Sequence, residues 1–174
     1  MRSLVAKAIR YYCEKYGEGT PLTVVILKTT DFKDYEIKAA KDVVGSSATL
    51  DLVHVLTNPM LRILGESQAP PRGSFYQEES DPNTTLLYTT GYVSEDKTYP
   101  GIGSPAPLEL RRDYGNTELS ILGLQAFSLT KMDWNTTRVM LREPVTIKFA
   151  RKVSDVIKAG LSAEELVRDF RYYM

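Results

Sequence analysis

The strongest constraint on this chain is the run Leu22-Thr23-Val24-Val25-Ile26-Leu27, which stops in Lys28, Thr29, Thr30 and Asp31. In a strand, alternate side chains go to opposite faces. Val24 and Ile26 then line one face, and Val25 and Leu27 the other, so both are apolar. Such a strand suits a central place in a sheet covered on both sides, as in α/β folds. It needs sheet neighbours. The chain in isolation is therefore expected to expose a large apolar patch and to be unstable or to self-associate.

The surrounding pattern is α/β. Residues 3–16 set Leu4, Ala8, Tyr11 and Tyr12 at helical spacing, and Gly17 and Gly19 stop that helix. After the strand at 22–27, Asp31 can cap a helix over about 33–43. Gly45-Ser46-Ser47 forms a loop, and Thr49–Leu56 reads as a second strand. Asn58-Pro59 is a turn. GSFYQ and TTLLYTT then form a hairpin about the turn ESDPN, and the Gly/Pro-rich loop DKTYPGIGSPAP leads to the strand PLELRR. Asn116 or Thr117 caps a helix to about Thr130, with Leu119, Leu122, Gln125, Ala126 and Leu129 roughly on one face. Pro144 precedes a helix over 145–159 that carries Phe149, Val153, Val156 and Ile157 on one side, and Gly160 ends it. A short helix restarts at Ser162. No internal repeat, low-complexity tract or flexible linker divides the 174 residues, so they read as one unit with a core.

Composition narrows the chemistry. A single cysteine, Cys13, excludes an internal disulfide and a cysteine-based zinc site, and fits a reducing, cytoplasmic setting. His54 is the one histidine, and it sits within a strand, which disfavours Ser-His or Cys-His catalysis. No apolar run is long enough to cross a membrane. The N-terminus lacks the apolar core and cleavage site of a targeting segment. Formal net charge is zero, but its distribution is uneven. Glu78, Glu79 and Asp81 make an acidic tip, whereas Arg138, Arg142, Lys148, Arg151, Lys152 and Lys158 gather towards the C-terminus.

Asp31, at a strand end, is a candidate metal-binding carboxylate; its structural reading is a helix cap. Asp51, Asp133 and Asp155 share no spacing that ties them to it. The loop TYPGIGSPAP matches neither a P-loop nor a dinucleotide fingerprint. The basic residues near the polar loop WNTTR suit phosphate oxygens. The aromatic ending Phe170, Tyr172, Tyr173 and Met174 suggests a tucked-in terminus with a defined α-carboxylate, or ordinary packing of a last helix.

Taken together, "VVILKTTDF", "GIGSPAPLEL", "LTKMDWNTTR", "REPVTIKFARKVSDVIKAG" and "FRYYM" resemble, in order, the C-terminal half of Argonaute PIWI domains. The resemblance implies an RNase H-like α/β fold over residues 1–174, with the MID domain and the first part of PIWI supplied by a partner chain. Active members cut a target strand paired to a short guide, using three acids and a fourth Asp or His. The third-acid position falls on Thr29, after Lys28. The fourth falls on Arg151, after Phe149-Ala150. A threonine cannot bridge divalent ions as a carboxylate does, and an arginine cannot ligate one. The match is to inactive prokaryotic Argonautes. Guide contacts by analogy fall on Arg62, Arg138, Lys148 and Arg151. The Met174 carboxylate would help to hold a divalent cation, Mg²⁺, at the guide 5′-phosphate.

The reading is a non-catalytic subunit in prokaryotic defence, with no membrane association. It would bind guide and target nucleic acid, RNA or DNA, and signal to an effector protein. Two other readings stay open. In one, a partner supplies carboxylates, Asp31 stands in for the third acid by pointing to the same face as Thr29, and the assembly cuts nucleic acid. In the other, the chain is a structural adaptor without nucleic-acid contact.

Overall fold

The computed structural model describes residues 1–17, 19–63, 69–92, 103–133, 141–160 and 162. Among these, helix α1 (Arg2–Tyr16) leads to strand β1 (Thr23–Lys28), helix α2 (Asp34–Val44) and strand β2 (Thr49–Leu56). Strands β3 (Phe75–Gln77), β4 (Thr84–Leu87) and β5 (Leu108–Tyr114) follow, then helices α3 (Leu119–Leu129) and α4 (Val145–Lys158). The strands form one mixed sheet of order β1-β2-β5-β4-β3, with β1 parallel to β2 and the other pairs antiparallel. The expected mixed α/β architecture is present.

Alternation sorts the core into two layers. Val53, Val55, Leu87, Leu108 and Leu110 point to the face covered by α3 and α4, where Leu119, Leu122, Ala126 and Ile147 meet them. Leu50 and Leu52 point to the other face and pack with Val5 of α1 and Ala40 and Val44 of α2. Each fully buried Val or Leu stabilises the fold by roughly 1.5–3 kcal/mol, so the β2–β5 centre anchors the sheet.

The first strand is placed differently from expectation. It is an edge strand, hydrogen-bonded on one side to β2 alone among the described residues, and its side chains are only half-buried beyond the exposed Thr23. Apolar composition on both faces gives sidedness; the number of neighbours depends on the rest of the sheet. The buried face of α1 also differs. Val5, with Met1 and Ile9, packs inward, whereas Leu4 and Tyr11 are 70% and 64% exposed. Two apolar stripes fit one helical period, and packing chose the narrower. In α3 the inward face is Leu119, Leu122, Gly123 and Ala126, with Gln125 exposed. In α4, Val145 and Ile147 are buried and Ile157 is exposed.

Neither expected aspartate or threonine cap forms. The N-cap of α2 is Lys33, whose backbone N–H donates to the Glu36 carboxylate at 3.0 Å. The N-cap of α3 is Glu118, without a side-chain cap bond. Thr117 is tied instead to Asp51, which is fully buried in β2. The Thr117 hydroxyl donates to Asp51 Oδ2 at 2.6 Å and its backbone N–H to Oδ1 at 3.1 Å. Gly115 makes this approach possible: its φ is +115°, and a Cβ there would stand 2.1 Å from Asp51 Oδ1. Asp51 is thus a structural carboxylate that fastens the start of α3 to the sheet.

Candidate nucleic-acid interface

β1 ends at Lys28, and the chain bends through Thr29 and Thr30. Two polar sites lie at this end of the sheet, one on each face.

On the α4 side is a cleft of about 340 Å³. Its walls are Leu27, Lys28 and Thr29 from the strand end, and Ile147, Ala150, Arg151, Ser154 and Lys158 from α4. Thr29, the first residue after the strand, lies on the α4 side, where Val25 and Leu27 also pack. Arg151, Ser154 and Lys158 recur at i, i+3 and i+7, one helical face. The structure therefore brings Thr29 and Arg151, 122 residues apart in the sequence numbering, into one cavity. No described lining residue is acidic. The lysine of the strand turns its charge away. Lys28 Nζ is 2.6 Å from Glu36 Oε2, donates to the Asp31 carbonyl at 3.1 Å, and lies over the Phe32 ring. The Lys28 hydrogen bond holds the Glu36 carboxyl below its ordinary value. Arg151 Nη1 meets Glu143 Oε1 at 2.7 Å, while half of its side chain remains exposed. Lys158 is 74% exposed and 3.8 Å from Asp155.

On the opposite face, Lys28, His54 and Arg111 sit side by side across β1, β2 and β5. Arg111 is clamped between two aspartates, with Nε donating to Asp113 at 2.8 Å and Nη2 to Asp31 at 2.6 Å. These carboxylates, Asp113 foremost, push the guanidinium pKa up further. The Arg111 hydrogen bond holds the Asp31 carboxyl below the usual range. His54 Nδ1 lies 3.3 Å from the same Asp31 oxygen. A register shift in the β2–β5 ladder between Leu52 and Val53 leaves Asp113 as the extra residue. Its carboxylate also accepts the Phe32 N–H at 3.1 Å. Asp31 thus does not share a face with Thr29. The strand stops before it, so alternation no longer applies, and the carboxylate is bound to Arg111 rather than capping α2.

The remaining candidates are dispersed. Arg62 is exposed in the segment after β2. Lys148 pairs with Asp133, whose side chain is almost wholly buried, and it does not line the cleft. Asp155 is exposed beside Lys158. Arg138 and Met174 lie outside the described residues, as do the loop WNTTR and the helix expected after Ser162. Among the described residues, no group of three or more His, Cys, Asp or Glu side chains could hold a metal ion, and no helix is long and apolar enough to cross a membrane. Sequence reasoning missed Ser154, although helical spacing from Arg151 pointed to it. It also missed Arg111 and Asp113, whose partners are 80 and 81 residues away.

No protein-family model and no curated protein matched the sequence. Solved structures did. The Aquifex aeolicus Argonaute superposes with a TM-score of 0.71 at 22% identity, covering 98% of this chain and 24% of that one. The Clostridium butyricum Argonaute, bound to a guide DNA and a 19-mer target DNA, gives 0.69 at 24% identity, covering 90% and 20%. The Marinitoga piezophila Argonaute, in complex with a 5′-OH guide RNA, gives 0.67 at 21%, covering 88% and 22%. The chain spans about a fifth to a quarter of the length of these proteins, and it has the fold of that part of an Argonaute.

Proposed function

We propose that this chain is a nuclease-inactive Argonaute segment, the C-terminal part of a PIWI domain, that binds a guide strand and its target. The observation that carries the proposal is the cleft at the end of β1. Thr29 and Arg151 stand there together, with no carboxylate among the described lining residues. Two-metal hydrolysis needs convergent carboxylates to hold both ions, and this cleft offers hydroxyls and cations. Nucleic-acid binding draws support from the fold and from two of the similar structures, which hold guide or target strands.

The MID domain and the first part of PIWI would be supplied from outside these 174 residues, and a strand of theirs would complete the sheet beside the edge of β1. The assembly would serve prokaryotic defence in the cytoplasm by passing guide–target recognition to an effector protein. The assembly would hold a divalent cation, Mg²⁺, at the guide 5′-phosphate. Arg62, Arg138, Lys148 and Arg151 would contact backbone phosphate, making binding insensitive to sequence and weakened by salt. The position of Asp31, bound to Arg111 on the other face of the sheet, weighs against its replacing a third catalytic acid.

The test uses the natively purified assembly. Arg62→Ala with Arg138→Ala should lower affinity for a guide–target duplex and flatten its salt dependence by roughly 0.7–0.9 per lost phosphate contact. Unchanged affinity and slope would favour the adaptor reading. Guide-directed cleavage with Mg²⁺ or Mn²⁺, abolished by Asp31→Ala, would overturn inactivity.

A further inference from the structure

The cleft between β1 and α4 does not fit a divalent cation. Its described walls carry no carboxylate, imidazole or thiolate, the side chains that hold such ions. They carry instead the hydroxyls of Thr29 and Ser154 and the cationic side chains of Arg151 and Lys158. The geometry points to a binding site for one backbone phosphodiester, held by Arg151 and Lys158 and oriented by the two hydroxyls, with no metal ion.

The chemistry is complementary. A phosphodiester carries one negative charge and two free oxygens. A guanidinium meets such oxygens through a planar fork of donors, and an ammonium and hydroxyls supply further donors. Glu143 occupies only Nη1 of Arg151, leaving other donors on an exposed side chain. Lys158 has a distant, exposed partner that a phosphate would displace at little cost. Lys28 forms part of the wall, but its charge is matched by Glu36 on the far side. At the mouth, the cations that stay half or more exposed beside their partners are therefore those of α4. A cavity of about 340 Å³ admits a phosphate group with parts of its sugars. Contacts of this kind position a strand without reading its bases.

This inference rests on the proposed nucleic-acid binding, and its test separates the two. A guide–target duplex would be scanned with single methylphosphonate replacements, which remove one backbone charge at a time, in buffer containing EDTA. The native assembly should show one position where replacement weakens binding about tenfold. Arg151→Ala with Lys158→Ala should lose that sensitivity and lower the salt slope by about 0.9. Arg151→Lys, which keeps the charge, should retain part of it, and its melting temperature serves as the folding control. A flat scan, equal sensitivity in native and double-variant protein, or sensitivity that appears only with Mg²⁺ overturns the site while leaving guide binding intact. No binding of the unmodified duplex by the native assembly overturns both.

Discussion

The two polar sites at the end of β1 are made from neighbouring residues yet differ in how their charges are held. On the α2 side, Arg111 is matched by Asp31 and Asp113, and Lys28 by Glu36. Both cations thus have a mostly buried carboxylate partner, Asp113 or Glu36, and the backbone of Phe32 is held as well. On the α4 side, Arg151 and Lys158 line a cavity with no acid among its described walls, and beside their partners Glu143 and Asp155 they stay 50% and 74% exposed. Mostly buried ion pairs fasten secondary structure; cations that stay exposed beside their partners can take on a charged ligand. Proximity to a strand end is therefore a poor guide to function unless the charges on each face are counted separately.

Four experiments would break or sharpen this contrast. The largest effect should come from Arg111→Ala, which leaves the mostly buried Asp113 without its cation. We expect a loss of about 2 kcal/mol in denaturant-induced unfolding, moderated by solvent because Arg111 is itself 39% exposed. Nucleic-acid affinity should be unaffected, and a change in affinity without loss of stability would invert the assignment. Arg151→Ala should show the reverse: about tenfold weaker duplex binding, with stability changed by less than roughly 0.5 kcal/mol.

Thr29→Asp should come next. One new carboxylate facing Arg151 supplies no two-metal site, so no cleavage is expected. It should repel phosphate and weaken binding by roughly threefold to fivefold, less than loss of the arginine fork. Cleavage on gel assay would show that the cleft still holds ions.

The smallest effect concerns pH. Glu36 has its pKa lowered in the folded state, first by the Lys28 hydrogen bond. A carboxylate with a depressed folded pKa stabilises the fold above its unfolded value, about 4.3, and the contribution fades as pH falls through the folded value. The melting temperature of Glu36→Gln should accordingly lie below that of the native protein near neutrality, with the gap closing in acid. A gap independent of pH would assign the loss to packing.

Much of the architecture was legible because its signals are local. Thr49–Leu56 runs as expected, bounded by Gly45-Ser46-Ser47 on one side and Asn58-Pro59 on the other. Gly17 closes α1 with a φ of 65° and a backbone bond to Cys13. Pro144 opens α4, and Gly160 follows its end. The inward face of α1 was not legible, because Leu4, Ala8 and Tyr11 form as good a stripe as Met1, Val5 and Ile9. The partner of Asp31 was not legible either. Its cap reading depended on the next few residues, whereas its actual partner comes from β5.

By itself, the sequence determined the order and kind of the elements, the apolar character of both faces of β1, and the residue types at Thr29 and Arg151. Periodicity and turn residues act over a few positions, so these can be read from neighbours. Only the tertiary structure decided that β1 lies at an edge, that Thr29 and Arg151 share one cleft, and that Asp31 faces Arg111 instead. Strand order, ladder register and the bulge at Asp113 bring together residues dozens of positions apart, and packing of the whole sheet selects among the pairings that local pattern leaves open.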